Sequence, residues 1–394
     1  MILIVSAVFP PEPVVSARLS FDLAKALCSN FPVTVISPYP TRPFGKTFPK
    51  PAFEKEKFQH FVLDSYTHPK SSVLGRLLES YSIGVKASAF IRKSHKEINV
   101  IYANTWPLLG QMLVVKAAKK HRIPLVLHIQ DIYPESLVKK TPFPISWLIK
   151  TFFLPIDKYA LRNAAKIITI SPGMKDHLVS TRNLKSKKVQ VVRNWQDHQP
   201  VLSFNREENP AGVFTFMYLG SISPSAGVPH LIRSFSLSGL ANCRLVIAGG
   251  GSELEKCKAL AAAEKQARIE FRDASAEMAP KIQAEADVLL LPLKPGIGAT
   301  ASPSKLSAYL FSQKPVIASV DEGSDVAKII NTAQCGWTVP PENVHSLADC
   351  MKNAARTQPE KLLAFGKNGR EYALKHFTRE CCLNKLVDVI KEML

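Results

Sequence analysis

A chain of 394 residues is too long for one ordinary hydrophobic core, so two domains are expected. Its 46% hydrophobic and 21% charged residues exclude a disordered or low-complexity polypeptide. Fifty-one Lys and Arg against 32 Asp and Glu leave a formal charge of +19, which favours an anionic partner such as nucleic acid, a phosphate-bearing substrate or an anionic membrane surface. Along the chain, short apolar runs alternate with helical patterns. "ILIVSAV" (2–8) reads as a strand, followed by a proline-rich loop, a helix in "ARLSFDLAKALCS" (17–29) and a strand in "VTVISP" (33–38). The stretch 68–97 mixes Lys and Arg with Leu, Ile, Val and Phe at helical spacing. It is either a core-facing helix with a solvated basic side or an interfacial surface. "VIYANT" (100–105), the helix "LLGQMLVVKAAKKH" (108–121) and "PLVLHI" (124–129) follow, and "KIITISP" (166–172) and "VQVVRN" (189–194) complete the first half.

Residues 196–212 are polar and without period, and read as a linker. The alternation then restarts. Strands are expected at 214–221, 243–251, 269–273, 287–293, 315–319 and 336–341, with helices between them and mostly helix from 343 to 394. Unbroken apolar strands alternating with helices predict parallel sheets covered on both faces, with ligands at the carboxyl ends of the strands. The seven cysteines are scattered with no CxxC pair, so neither a zinc cluster nor a disulfide framework is expected. "MILIVSAVFPPEP" reads as a first strand rather than a leader. "FPISWLIKTFFLPI" (143–156), interrupted by Lys150, could touch a membrane but not cross it.

Three loops in the second half could present backbone N–H groups and the positive end of a helix to phosphate. They are Gly220-Ser221-Ile222-Ser223, Gly249-Gly250-Gly251-Ser252, and the run Gly298 to Lys305 containing Ser302, Pro303 and Ser304. Each alone is equally consistent with plain turn chemistry. "GGGSEL" is neither a Walker A loop nor a dinucleotide fingerprint. Lys305 in a first helical turn, where a cation is disfavoured by the helix dipole, points to an anion. His128, inside an apolar strand, reads as a packed core histidine.

The order of these pieces resembles the family-4 glycosyltransferases of GT-B fold: "FPPEPVVSARLSFDLAKAL" at the start, then "ADVLLLP" followed by "PSKL" and "PVIAS". "DIYPES" (131–136) resembles a segment of the branch that builds bacterial O-antigens and capsules, including N-acetyl-L-fucosamine transferases. The resemblance implies two Rossmann-like parallel-sheet domains facing each other across a cleft. An acceptor-binding domain would span 1–198, a nucleotide-sugar-binding domain 199–375, and a helix over 376–394 would pack back on the first. It also implies retaining transfer without a metal ion or other cofactor, from a nucleotide-diphosphate sugar to a lipid-linked saccharide. That work belongs to a cytoplasmic protein at the inner face of an anionic membrane. Carried over by position, the diphosphate site falls on Gly220, Ser221, Gly250, Gly298, Ser302, Pro303, Ser304 and Lys305, and the base site near Arg272 and Asp273. The loop Pro11–Arg18, with Ser16 and Arg18, would close over the phosphates, and Asp131, with Glu135 nearby, would face the acceptor.

The sequence departs from this pattern in places. Val14 and Val15 stand where the resemblance has Gly-Gly, and Thr300 and Ala308 where it has two glutamates, the second of which grips the donor ribose. A UDP donor leads, and a GDP-linked one stays open. A sugar-nucleotide-binding subunit without turnover, or a UDP-sugar 2-epimerase, would use the same fold. Nucleic-acid binding is disfavoured because the basic residues are scattered and no binding module is present.

Overall fold

The computed structural model describes residues 1–42, 46–49, 53, 55–68, 72–138, 141–195, 199–202, 212–264, 267–275, 277–296 and 304–394. The chain forms two compact units, the first built from Met1–Trp195 and Glu380–Leu394, the second from Gln196–Arg379.

The first unit contains β1 (Ile2–Ser6), α1 (Val15–Leu27), β2 (Val33–Pro38), β3 (Gln59–Leu63), α2 (Val73–Ser94), β4 (Val100–Asn104), α3 (Leu109–Lys120) and β5 (Leu125–Ile129). It continues with α4 (Glu135–Val138), α5 (Ile145–Asn163), β6 (Lys166–Thr169), α6 (Pro172–Arg182) and β7 (Val189–Val191). The seven strands lie parallel in the order β3-β2-β1-β4-β5-β6-β7. The side-chain period of two divides each strand between two cores. In β1, Leu3 and Val5 pack with Ile91, Val114 and Leu161 from α2, α3 and α5. Ile2 and Ile4 pack on the other face with Leu19 and Leu23 of α1.

The second unit contains α7 (Gln199–Leu202), β8 (Phe214–Leu219), α8 (Val228–Ser238), β9 (Cys243–Ala248), α9 (Leu254–Ala263), β10 (Ile269–Arg272), α10 (Ala279–Ala284) and β11 (Val288–Pro292). After it come α11 (Ser304–Phe311), β12 (Val316–Ser319), α12 (Asp325–Ala333), β13 (Gly336–Val339), α13 (Val344–Ala355) and α14 (Pro359–His376). Its six parallel strands run β10-β9-β8-β11-β12-β13. Both sheets therefore start in the middle, wind outwards and double back, at β1/β4 in one and β8/β11 in the other. Loops on either side of such a reversal diverge and leave a crevice at the strand carboxyl ends.

The last helix, α15 (Arg379–Lys391), belongs to the first unit. Leu383, Leu386, Val387 and Ile390 form its apolar stripe and join the core of Ile2, Ile4 and Leu23. Three elements go beyond the sequence reading. Strand β3 is a half-exposed edge strand without a continuous apolar run. Helix α6 starts at Pro172 directly after a strand, capped by the Ser171 hydroxyl, which accepts from the Met174 amide at 3.2 Å. Helix α7 lies inside the stretch expected to be irregular.

Leu386 is fully buried in the contact between α15 and the first sheet. Leu386→Ala is expected to cost about 2–5 kcal/mol, measured as a lowered denaturation midpoint. An unchanged midpoint would mean that α15 contributes nothing to the first unit.

Candidate functional site

In the second unit the reversal point is built around Tyr218, the penultimate residue of β8. Its phenol donates to the Ser221 carbonyl at 2.6 Å and accepts from the Lys305 ammonium. The Lys305 Nζ also lies 4.4 Å from the centre of the Tyr218 ring. Tyr309, one turn further along α11, accepts from the Leu219 amide and donates to the Leu219 carbonyl, each at 3.0 Å, and so pins the end of β8. Gly220 follows with φ +142°. A Cβ there would meet the flexible end of the Lys305 side chain, its Nζ at 2.8 Å included, and it is the positive φ that calls for glycine. Gly249, with φ +125°, lies directly against the Gly220 carbonyl, which is how the two glycine loops stack.

No carboxylate among the described residues pairs with Lys305. Burial lowers its pKa from 10.5 to about 8. Between those values the unfolded chain holds more protons than the folded one, so this group makes stability rise with pH across that window. A bound anion would reverse the shift. A half-buried ammonium beside the Gly220 turn at a strand reversal can hold an anion.

The other expected donor residues fall as follows. Ser221 is exposed beside Gly220, and Gly250 has open space around its Cα while its carbonyl accepts from the Ile222 amide at 2.8 Å. The conformational demand is on Gly249 and Gly251 instead. The Arg272 guanidinium, expected at the base, is bonded to Glu285 at 2.6 Å and Glu270 at 3.0 Å, and Asp273 is exposed next to it. Ser304 opens α11, while Gly298, Ser302 and Pro303 lie outside the described residues.

In the first unit a cavity of about 180 Å³ lies over the ends of β1, β4 and β5. Val8, Ser16, Thr105, Trp106, Gln130 and Asp131 are among its walls. The Ser16 hydroxyl donates to the Gln130 side chain at 3.0 Å, tying the first turn of α1 to the loop after β5. Asn104, at the end of β4, is donated to by Gln130 at 2.9 Å and itself donates to Ser20 at 3.1 Å. Arg18 lies on the exposed side of α1, 3.9 Å from Asp22. His128 is buried as expected, its Nδ1 bonded to the Tyr102 hydroxyl at 2.6 Å, yet it also reaches the cavity wall.

Glu135 has a different place from the one expected for a proton-handling group. Arg182, almost wholly buried on α6, donates to Glu135 Oε2 at 2.7 Å, to the Tyr133 carbonyl at 2.7 Å and to Asp157 of α5 at 2.8 Å. His177 adds a bond to Glu135 at 3.1 Å. Burial would raise the Glu135 pKa, but the bonds from Arg182 and His177 outweigh it and hold it at about 2. The carboxylate therefore stays ionised and fixes the loop that carries Asp131. Arg182 and Tyr218 escaped the sequence reading because the partners that define them, Glu135 and Asp157 for one and Lys305 for the other, lie far away in the chain, with no local motif.

Two family models match the chain: the one described as Glycosyltransferase Family 4 over residues 16–199 and the one described as Glycosyl transferases group 1 over 213–356. Together they take in most of its length. Both halves of the chain match glycosyltransferase models, and the chain is a glycosyltransferase. A probable glycosyltransferase of Pseudomonas aeruginosa, WbjE, is 21% identical over 373 residues, covering 92% of this chain and 90% of that protein. Among solved structures, Anabaena HepE in complex with UDP has a TM-score of 0.68 at 16% identity, over 99% of both chains. Sucrose-phosphate synthase from Thermosynechococcus elongatus has a TM-score of 0.74 at 14% identity, over 100% of this chain and 98% of that one. WaaG, a glycosyltransferase involved in lipopolysaccharide biosynthesis, has a TM-score of 0.65 at 15% identity, over 99% of both chains. These neighbours share the GT-B architecture of two parallel-sheet domains.

In this glycosyltransferase, Arg182→Ala is expected to cost about 3–5 kcal/mol, because it leaves Asp157 and Glu135 without their cation. The depressed Glu135 pKa adds a pH signature. Its stabilisation is complete above its ordinary value of 4.5 and is lost as pH falls from there towards 2. Denaturant titrations of wild type and Arg182→Ala should therefore converge in acid, and a gap that widened below pH 4 would contradict the pairing.

Proposed function

We propose that this glycosyltransferase moves a sugar, N-acetylated and carried on UDP, with retention of anomeric configuration, to a polyprenyl-diphosphate-linked saccharide during bacterial surface polysaccharide synthesis. The observation that carries this reading is the Lys305 ammonium, with no carboxylate partner among the described residues, folded over Gly220 at the β8/β11 reversal. In the reaction the bond from the sugar C1 to the β-phosphate oxygen breaks, and negative charge grows on the departing nucleoside diphosphate. Lys305, held before the substrate arrives, and the amides that begin α11 stabilise that charge without reorganisation. The ammonium thereby supplies the countercharge, and the step calls for no metal ion. The acceptor hydroxyl forms the new bond to C1, and Asp131 orients it or takes its proton. HepE, solved with UDP, and WaaG, involved in lipopolysaccharide biosynthesis, support the donor class and the setting by analogy of fold.

Thermal shift with UDP, GDP, dTDP and CMP tests the donor. UDP at about 100 times its Kd should stabilise by about 2.7 kcal/mol, and Lys305→Ala should abolish that shift and lower turnover by about 100-fold or more. Because the free lysine titrates near pH 8, UDP binding should take up a proton above that pH and weaken as pH rises. A UDP affinity indifferent to both Lys305→Ala and pH would remove the diphosphate role.

The lipid-linked acceptor calls for a membrane face. No described helix is long and apolar enough to cross a membrane. On α5, however, Ile145, Leu148 and Phe152 form a stripe at helical spacing, with Trp147 beside it and Phe143 just before; Phe143, Trp147 and Phe152 are 81%, 58% and 68% exposed. Lys150, Lys158 and Arg162 share the helix, an apolar and basic combination suited to an anionic headgroup layer. Binding to phosphatidylglycerol vesicles should fall several-fold with Trp147→Ser or Phe152→Ser and again on raising salt from 0.1 to about 1 M. Equal binding to zwitterionic vesicles would rule this face out.

A further inference from the structure

A second space in the first unit lies among the first turns of α2, the loop after β4 and α4, and its walls differ in kind from those of the cavity over β1, β4 and β5. Val73, Leu77, Leu108 and Leu137 make it apolar, and its volume is about 290 Å³. Among the described residues Arg76 is its one charged wall group. We propose that this groove holds the isoprene units of the acceptor's polyprenyl chain that lie next to the phosphate, with that phosphate at Arg76. The inference rests on the lipid-linked acceptor proposed above and says where the enzyme grips the lipid.

The local sequence builds the groove. Val73 and Leu77 are one helical turn apart and so share a face of α2. Ser80, one turn further on, donates from its hydroxyl to the Pro107 carbonyl at 2.6 Å and accepts from the Gly110 amide at 2.8 Å. That clip holds the turn in which Leu108 takes φ +64°, a conformation costly for leucine and kept only where the surroundings dictate it. Trp106, Pro107 and Tyr133 line both this groove and the cavity that carries Asp131. Two guanidinium groups lie over the Trp106 ring, Arg42 at 4.7 Å and Arg76 at 5.0 Å from its centre, and fix the shared wall.

The chemistry of the walls selects the ligand. Aliphatic side chains offer nothing to hydroxyls, and the Ser80 hydroxyl is already engaged with the backbone. Glu79 is shared between Arg42 at 2.7 Å and Arg76 at 2.9 Å, so one carboxylate serves two cations and the partly exposed Arg76 keeps charge for a phosphate. At about 30 Å³ for each water-sized group the space takes about ten carbons, or two isoprene units. That is room for one chain, whereas membrane phospholipids carry two. Leu74, Leu78, Tyr81 and Val85, at spacings of four, three and four, are exposed on α2 beside the groove and give the rest of the chain an apolar path. Helix α4, which carries Leu137, packs on α5, the helix with the exposed aromatic stripe. The groove therefore adjoins both the cavity of Asp131 and the helix pair suited to a bilayer, as the junction of saccharide and lipid must.

Calorimetric titration of the full chain with dimethylallyl, geranyl and farnesyl monophosphates, below their micellar concentrations, tests the groove. Burying one more carbon tightens binding by up to about fourfold, so geranyl phosphate should bind at least about tenfold more tightly than dimethylallyl phosphate. Farnesyl phosphate should gain less than about threefold more, because the space is then full. Leu137→Trp, which fills the groove, and Leu77→Asp, which charges it, should each weaken geranyl phosphate at least about tenfold. Leu137 belongs to neither core of the first unit, so Leu137→Trp should melt like wild type and decides the matter if Leu77→Asp fails to fold. Arg76→Gln should weaken geranyl phosphate several-fold and leave geraniol unchanged. The proposal would be overturned by indifference to chain length, by a farnesyl gain as large as the geranyl one, or by Leu137→Trp binding like wild type. Equal effects of Arg76→Gln on geraniol and its phosphate would also overturn it, and dihexanoyl phosphatidylglycerol competing as tightly would give the groove to phospholipid instead. Loss of the UDP thermal shift in the wild type would sink the transferase reading, while the chain-length series would still decide the groove.

Discussion

A half-buried ammonium group that meets no carboxylate among the described residues is the constraint around which the end of β8 and the start of α11 are organised. Removing a charge from water is expensive, and proteins ordinarily pair such a group or leave it neutral. Lys305 bonds the Tyr218 phenol and lies over its ring, and burial lowers its pKa. The surroundings make that position possible. Gly220 leaves room for the lysine stem, Gly249 lets the next loop stack on Gly220, and Tyr309 fixes the strand end on which Tyr218 sits. A hydrogen-bond relay runs from Lys305 through Tyr218 to the Ser221 carbonyl, so the strand end, the glycine turn and the first turn of α11 are tied together.

The first unit has almost the same strand order and the opposite electrostatic solution. Its charges are matched internally: Arg42 by Glu79 and Glu12, and Arg182 by Asp157 and Glu135. Compensated ion pairs contribute little net stability but fix geometry. Arg182 holds the loop after β5, and Arg42 holds the segment after β2 beneath Trp106, its guanidinium carbon 4.7 Å from the ring centre. What lines the cavity is then the matched Arg42, neutral side chains and Asp131. One topology thus carries two chemistries, a cation with no carboxylate partner among the described residues in one sheet and matched charges in the other, because the loops rather than the strands determine what is bound.

Much of this was readable from residues in order. The unbroken apolar runs of β1, β4, β5, β8, β9 and β11 mark buried parallel strands, and the glycine after β8 and the lysine at the start of α11 mark a possible phosphate loop. Strand β3 was hidden because an edge strand with one solvated face lacks a continuous apolar run. The quoted "DIYPES" drew attention to Glu135, but the partner that determines its behaviour, Arg182, lies 47 residues further on. His128 was readable as a buried histidine; that one nitrogen is satisfied by Tyr102 and the other is left over depends on register across β4 and β5, which no local pattern encodes. Tyr218 looked like an ordinary strand aromatic for the same reason.

The overall charge of +19 and the single lysine at the strand reversal act over different ranges. A surplus spread over the surface is screened within about 10 Å at ordinary salt, so it raises the local concentration of anionic partners without selecting among them. Lys305 is half-buried against Tyr218, where a charge is screened less than one on the open surface. The same division separates the exposed basic face of α5 from the cavity over β1 and β4, where Arg42 is matched by Glu79. Attraction to a charged surface is distributed over many exchangeable residues, while discrimination depends on the few groups that touch the partner. A substitution among the surface lysines should therefore change how often substrates arrive, and a substitution at a contacting group should change which of them react.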